Sequence, residues 1–140
     1  MGLDIGDKRI GVALSDPLNM LASPLTIIER SYEPHDIEAV VSLIDRWQVG
    51  LIIVGLPRTM NGSVGQQAEK VNTFVRELSG HTNVPVEFRD ERLTTVSARR
   101  LMQSARTKKT RQKTRDDAVA AALILQGYLD ETYREQGVNS

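Results

Sequence analysis

The sequence predicts an α/β fold in which a mixed β-sheet is flanked by helices. Three features support this prediction: two short strand-like segments joined by a turn at the start, an uninterrupted apolar strand at Leu51–Val54, and an alternation of helices and strands around that strand. A continuous apolar strand is typical of parallel sheets that are covered on both faces. Alternating helices supply the crossovers that parallel strands need, whereas the opening hairpin is antiparallel.

The start of the chain is predicted to form an antiparallel unit. Gly2–Gly6 has the composition of a short strand, and Gly6-Asp7-Lys8 is a turn signal. Arg9–Ser15 alternates between large apolar and small residues, which is the period of a strand. These two strands are interpreted as a hairpin, and Pro24–Glu29 is a third strand candidate after a loop.

The remainder of the chain alternates between helices and strands, as apolar spacing indicates. Trp47 continues the apolar spacing of the first helix and is expected in the core. Gly55–Gly65 and Thr107–Thr114 are expected to be loops, the second of them mobile because it is polar and basic. No linker or repeat is visible, so one domain over residues 1–140 is expected. The predicted elements are a helix over Pro34–Trp47, the strand Leu51–Val54, a helix over Gln66–Leu78, a strand over Val84–Phe88, a helix from Thr94 or Thr95 to about Ala105, and a helix from Asp116 or Asp117 to about Thr132.

Composition is that of a globular protein and excludes several chemistries. The 140 residues include 18 basic and 18 acidic side chains, and 40% of them are hydrophobic. The absence of cysteine excludes a disulfide scaffold, a thiolate zinc site and a cysteine nucleophile. No apolar run approaches the roughly 20 residues that span a bilayer. No signal peptide is visible either, so we expect a cytoplasmic protein with no membrane partner.

The balanced net charge hides an asymmetry between one segment and the rest of the chain. Residues 92–115, which we call the basic segment, hold nine of the 18 basic residues and none of the 18 acidic ones, so the remainder has a net charge of −9. Such a segment produces a local positive field that attracts polyanions. A solvated charged loop is the alternative interpretation.

Carboxylates stand at three separate places in the predicted fold. Asp4 lies within an otherwise small and apolar strand, where a carboxylate is costly to bury without a compensating partner. Asp90 and Glu91 come after a predicted strand, at the carboxyl end where sites of open α/β sheets gather. Asp116 and Asp117 stand at the predicted start of the last helix.

Each acid also has an ordinary structural interpretation. Asp4 can accept hydrogen bonds from a neighbouring turn, Asp90 and Glu91 can form a charged turn with the flanking arginines, and an acid before a helix can cap it. Taken together, however, acids from two strands and a helix start form the oxygen donor set that Mg²⁺ or Mn²⁺ prefers. Two such ions about 4 Å apart can activate water for phosphodiester cleavage. Because the basic segment lies between the second and third acids, both patterns point to a polyanionic substrate.

Four motifs together resemble the YqgF family. They occur in the family's order, cover nearly the whole chain, and are highly specific as a set. The resemblance implies a ribonuclease H-like fold with a mixed five-stranded sheet. It also implies a nuclease of precursor 16S ribosomal RNA that is similar to Holliday-junction resolvases. The motifs are DIGDKRIGVALSD (Asp4–Asp16), VGLPRTMNGSVG (Val54–Gly65), FRDERLTT (Phe88–Thr95) and DDAVAAALILQGYL (Asp116–Leu129).

The resemblance also selects among the acids. It implies that Asp4, Glu91 and Asp117 are the catalytic and metal-binding residues, with Mg²⁺ or Mn²⁺ as the cofactor. Asp90 and Asp116 are then additional candidate ligands. Separately, the basic residues expected to contact nucleic acid lie in the hairpin turn, the Gly55–Gly65 loop and the basic segment; they are Lys8, Arg9, Arg58, Arg92, Arg106, Lys108, Lys109, Arg111, Lys113 and Arg115.

The leading hypothesis is a metal-dependent nuclease that cuts structured RNA, with the 5′ end of pre-16S rRNA in ribosome biogenesis as its target. RNA is favoured over DNA, and the chain is expected to act as a monomer or homodimer. A Holliday-junction-type DNA resolvase is the near alternative and requires a symmetric dimer, because a four-way junction needs two paired cuts. A non-catalytic RNA-binding module stays open as well. A nucleotide-binding ATPase is disfavoured because that superfamily binds its nucleotide between two domains.

Overall fold

The computed structural model describes residues 1–31, 33–57, 65–91 and 110–138. Within these residues the elements are β1 (Gly2–Ile5), β2 (Arg9–Ser15), β3 (Ala22–Glu29), α1 (Glu33–Trp47), β4 (Ile52–Leu56), α2 (Gln66–Ser79), β5 (Val86–Asp90) and α3 (Thr110–Val138). None of the helices in this part of the chain is long and apolar enough to cross a membrane.

The strands form one mixed sheet of five strands in the order β3-β2-β1-β4-β5. The first three strands are antiparallel neighbours, whereas β4 runs parallel to β1 and β5 runs parallel to β4. A backbone hydrogen bond of 2.9 Å from Gly6 N–H to Arg9 C=O closes the predicted turn between β1 and β2. The prediction of a mixed five-stranded sheet flanked by helices is therefore confirmed.

Large apolar side chains fill the face of the sheet that α1 and α2 cover. Leu3 and Val54 project from the central strands and Phe74 projects from α2, and all three are fully buried. The amphipathic spacing predicted for the two helices is confirmed, because α2 buries one stripe of side chains. That stripe is Ala68, Val71, Phe74, Val75 and Leu78.

Smaller side chains fill the opposite face, which α3 covers. The sheet contributes Ala13 and Ile53, and the helix contributes an alanine-rich stripe with three larger residues. Small residues on both surfaces allow the helix backbone to come close to the strands. The residues of the helix in this cluster are Ala120, Ala121, Ala122, Ile124, Leu125 and Leu129.

The predicted bounds of the last helix are wrong at both ends. α3 begins at Thr110, not at Asp116 or Asp117, and it continues to Val138 beyond the predicted end. Residues 110–114 were expected in a loop, but they are helical because Arg, Lys and Gln favour helices and neither Gly nor Pro interrupts them. The two acids therefore lie within the helix, and neither caps it. The helix predicted from Thr94 or Thr95 lies outside the described residues.

Two smaller predictions also differ from the structure. Trp47 was expected in the core but is 47% exposed, because it ends α1 just before Gln48 turns the chain at a φ of 50°. Its ring lies 5.6 Å from the guanidinium carbon of Arg46. β5 runs over Val86–Asp90, two residues later than predicted, so Asp90 is the last residue of the strand and Glu91 follows at once.

Candidate active site

Asp4 lies in the central strand on the face that α3 covers. Its neighbours Leu3 and Ile5 belong to the core under α1 and α2, and successive side chains of a strand point to opposite faces. The side chain of Asp4 therefore points toward α3, and the residue is only 2% exposed. The prediction that Asp4 lies within a strand is confirmed, and the structure shows that it is buried there.

Glu91 is brought to the same face at the carboxyl end of β5. It is 2% exposed, and a Cβ built on Gly55 would lie 2.9 Å from its Oε1, so the carboxylate lies against the backbone of β4. The β1–β4 register pairs Leu3 with Val54, which makes Asp4 and Gly55 the next residues along these parallel strands. Glu91 therefore approaches Asp4 across a position that has no side chain.

Asp117 is brought in from the helix. A Cβ built on Gly11 would lie 2.0 Å from the carbonyl oxygen of Asp117, so only glycine leaves room for α3 at this point. Gly11 is also the cross-strand partner of Asp4. The backbone of α3 at Asp117 thus lies over the strand position beside Asp4.

The three predicted acids therefore lie on the same face of the sheet, with a glycine on either side of Asp4. Burial and the neighbouring Asp90 carboxylate raise the pKa of Glu91 to about 7, because both disfavour a second negative charge there. Among the side chains that the structure describes, no three acids or histidines are grouped closely enough to hold a metal ion. Asp116 lies beside Asp117 in α3.

The predicted nucleic-acid contacts are only partly within the described residues. Lys8 is exposed in the hairpin turn, and Arg9 forms an ion pair with Glu29 at 3.2 Å. Arg111, Lys113 and Arg115 lie in the first turns of α3, before Asp117 on the same helix. The others lie outside the described residues; they are Arg58, Arg92, Arg106, Lys108 and Lys109.

Two arginines have structural roles that sequence analysis did not find. Arg30 donates hydrogen bonds to Asp36 at 3.2 Å and to the carbonyl of Gly6 at 2.9 Å, and so supports the turn after β1. Arg89 was considered only as a partner for the turn at Asp90 and Glu91, but it donates to Glu131 on α3 at 2.7 Å. The contacts of Arg30 with Gly6 and of Arg89 with Glu131 join residues 24 and 42 positions apart, and no local pattern reveals them.

A groove of about 790 Å³ lies at the other end of the sheet, around the start of β1 and β4. Met1, Trp47 and Tyr133 are among the residues that line it. None of the candidate acids does, so the groove is not part of the candidate site.

Comparison with solved structures identifies the fold. RuvC of T. thermophilus, in a structure with a Holliday junction substrate, superposes with a TM-score of 0.59 over 94% of both chains at 15% identity. A second structure of Thermus thermophilus RuvC gives a TM-score of 0.58 over 94% of this chain and 95% of that one. The five-stranded mixed sheet with its helices thus has the ribonuclease H-like architecture of RuvC.

Comparison of sequences identifies the family. The profile of the family described as "RuvX: Holliday junction resolvase" matches residues 1–131. A Moorella thermoacetica protein named "Putative pre-16S rRNA nuclease" is 52% identical over 130 residues, 93% of each chain. A Clostridium botulinum (strain Hall) protein of the same name is 46% identical over 130 residues, 93% of this chain and 95% of that one. The chain therefore belongs to the RuvX/YqgF family.

Proposed function

We propose that this protein is a divalent-metal-dependent nuclease that hydrolyses phosphodiester bonds in the precursor of 16S rRNA. The observation that supports the proposal is the placement of Asp4, Glu91 and Asp117 on one face of the sheet, with Gly11 and Gly55 on either side of Asp4. The names of the two relatives support the choice of substrate.

The chemistry of the acids fits a hard divalent cation. Asp4, Glu91 and Asp117 offer carboxylate oxygens, which Mg²⁺ and Mn²⁺ prefer over softer ligands. Asp4 and Glu91 are both 2% exposed, and burial together with the Asp90 carboxylate raises the pKa of Glu91, so that a bound cation would favour its charged form. Because no three described acids are close enough to form a ready site, we expect ion and substrate to draw the carboxylates together.

Each residue then has a defined task. Asp4 and Glu91 would hold the ion from the sheet and Asp117 would hold it from the helix, with Asp90 and Asp116 as additional candidate ligands. When bound, a divalent ion supplies Lewis acidity and a nucleophilic water at neutral pH. With a pKa near 7, Glu91 can give up its proton at neutral pH as the cation binds.

The cationic residues of the proposed interface belong to two segments at the same end of the sheet, because α3 lies over Gly2 at Ala121 and over Gly11 at Asp117, so that its first turns extend toward the hairpin turn. Lys8 is exposed in the turn that follows β1, whereas Arg111, Lys113 and Arg115 come before Asp117 in α3. Lysine and arginine bind phosphates through charge, independently of base sequence. A nucleic-acid backbone bound by these two segments would therefore lie next to the acids.

A cleavage assay tests this proposal. The protein, its Asp4→Asn variant and the control Asp45→Asn are incubated with a 5′-extended 16S precursor and with a four-way DNA junction, in Mn²⁺, Mg²⁺ or EDTA. Asp45 is an exposed acid of α1 on the other side of the sheet, so it controls for loss of a charge. We expect metal-dependent cutting of the RNA by the wild type and by Asp45→Asn, and none by Asp4→Asn.

The same assay identifies the alternatives. RNA binding without cutting, equal in wild type and Asp4→Asn, would contradict the proposal and favour a non-catalytic RNA-binding module. The family description favours one second candidate, cleavage of DNA junctions. Preferential and symmetric cutting of the four-way junction, by a protein that sediments as a dimer, would support that candidate.

A further inference from the structure

Arg89 and Glu131 form an ion pair between β5 and α3. Nη1 of Arg89 lies 2.7 Å from Oε2 of Glu131, and the side chain of Arg89 is only 8% exposed, whereas that of Glu131 is 50% exposed. By contrast, the pair of Lys70 with Asp7 joins side chains that are 59% and 60% exposed. A buried guanidinium requires a partner, whereas an exposed pair is readily exchanged for water, so the first pair holds its elements more firmly.

Arg89 also packs on the backbone of α3. A Cβ built on Gly127 would lie 2.8 Å from its Nε and Nη2 and 2.9 Å from its Cζ. Glycine is unfavourable inside a helix, and the space that the guanidinium occupies accounts for its presence at this position. The arginine is therefore held by the helix backbone as well as by Glu131.

The ion pair joins two of the elements that position candidate acids, β5 and α3. Arg89 belongs to β5, and Glu91 follows the end of that strand. Glu131 and Asp117 belong to α3, separated by about four turns or roughly 21 Å along the helix axis. The ion pair thus connects the strand of one acid to the helix of another.

Most other contacts of α3 with the sheet have no directional preference. They are made by the alanine-rich cluster, and burial of such surfaces does not define one position along the helix axis. Gln126 provides directional contacts at the far edge, accepting from Ala22 N–H at 2.8 Å and donating to Met20 C=O at 2.9 Å. On the side of β5, a directional contact within the described residues is the charge-assisted hydrogen bond of Arg89.

We propose that Arg89 is a positioning residue that, through Glu131 and Gly127, fixes α3 on β5 and so holds Asp117 in place relative to Glu91 and Asp4. This inference rests on the proposed function, since it takes these acids as the reactive centre. A displacement of about 1 Å in such a centre is enough to lower a rate severalfold to a hundredfold. Arg89 itself contacts neither substrate nor metal in this scheme.

The test compares two exposed glutamates one turn apart on α3. Glu131→Ala removes the partner of Arg89, and Glu135→Ala removes a matched charge. The measurements are kcat and KM for the RNA in Mn²⁺, Mn²⁺ affinity by calorimetric titration, and the thermal midpoint. We expect Glu131→Ala to lower kcat roughly tenfold and to weaken Mn²⁺ binding, with KM within about twofold, whereas Glu135→Ala changes neither.

Conservative substitution separates positioning from simple support of the fold. Arg89→Lys keeps a charge that can reach Glu131, and Arg89→Gln does not. Recovery of kcat and Mn²⁺ affinity in the lysine variant, at a thermal midpoint equal to that of the glutamine variant, supports the proposal. Equal kcat and Mn²⁺ affinity in Glu131→Ala and Glu135→Ala overturn it, as does a lower midpoint of Glu131→Ala with both values unchanged.

The Mn²⁺ titration keeps this inference distinct from the proposed function. If the wild type cuts no substrate but binds Mn²⁺, the nuclease proposal fails, while weaker binding by Glu131→Ala than by Glu135→Ala still supports positioning. If the wild type neither cuts nor binds Mn²⁺, there is no centre to position and both proposals are overturned.

Discussion

The two faces of the sheet are packed by different kinds of side chain. Under α1 and α2 the fully buried residues include Leu3, Ile37 and Phe74, whereas the cluster under α3 is rich in alanine. Large side chains keep a helix away from the strands and bury apolar area, at about 25 cal/mol per Å². Small ones let the helix backbone approach the strands, as it does at Gly11. One face is therefore built for stability, and the other allows groups on a helix and a sheet to meet.

Buried acids differ between the two faces in the same way. Asp36, on the side of α1, is 1% exposed, pairs with Arg30 at 3.2 Å and accepts a hydrogen bond from Ser31 N–H at 3.1 Å. Glu91, on the side of α3, has the carboxylate of Asp90 as a neighbour, which raises its pKa further. On the first face an arginine pairs with the buried carboxylate, whereas on the second a neighbouring carboxylate disfavours the charged form of Glu91.

The largest effect is expected where α3 comes closest to the sheet. Gly11→Ala places a Cβ 2.0 Å from the carbonyl oxygen of Asp117, so the helix must move. We expect at least a hundredfold loss of metal-dependent cleavage, and destabilisation of about 1–3 kcal/mol from overpacking. Gly50→Ala is the control because a Cβ there meets nothing within 4 Å. Unchanged cleavage in Gly11→Ala would show that the close approach does not serve the acids.

A substitution on the face under α1 and α2 should lower stability without lowering the rate of cleavage. Leu78→Ala removes a fully buried side chain of α2 and should lower the free energy of unfolding by about 2–5 kcal/mol. The kcat of the folded fraction should stay within about twofold of wild type, because no candidate acid is on α2. Urea denaturation and cleavage at low temperature measure the two quantities. A kcat that fell with stability would mean that the faces are not specialised as described.

The pH dependence of stability tests the raised pKa of Glu91. Because the pKa of Glu91 is raised from 4.5 to about 7 in the fold, the native state binds more protons than the unfolded chain between these values. This carboxyl therefore stabilises the metal-free protein below pH 4.5, and that contribution is lost as the pH rises through 7. We expect stability to fall by on the order of 1–3 kcal/mol relative to Glu91→Gln across this window. Parallel pH profiles of the two proteins would contradict the shift.

The smallest effect is expected at the edge of the proposed interface. Lys8→Gln should weaken RNA binding at low salt and reduce the slope of log K against log salt by about one, without changing kcat at saturating RNA. Arg76→Gln, on an exposed position of α2 away from the acids, is the matched control. Fluorescence anisotropy over a salt series measures both. Equal slopes in the two variants would remove Lys8 from the proposed interface.

Local pattern was sufficient for most of the fold. The hairpin, the buried strand and the two amphipathic helices follow from periods of two and 3.6 residues, which short segments already display. The bounds of α3 and the exposure of Trp47 did not follow. The first turns of α3 carry charge without apolar period, so helix propensity was underestimated there, and Trp47 stands where its helix ends. The resemblance to the YqgF family identified Asp4, Glu91 and Asp117 as candidate catalytic residues. Their spacing alone left each of them open to a structural interpretation.

Only the tertiary structure placed those acids on one face of the sheet. Their placement depends on strand register, which sets Gly11 and Gly55 beside Asp4, and on the absence of side chains at those two positions. The β1–β4 pairing joins strands that are distant in sequence and has no local signature, so neither its register nor the close approach of α3 could be predicted. The ion pair of Arg89 with Glu131 could not be predicted either, because the packing of α3 on the sheet determines which residues are in contact, and not their order along the chain.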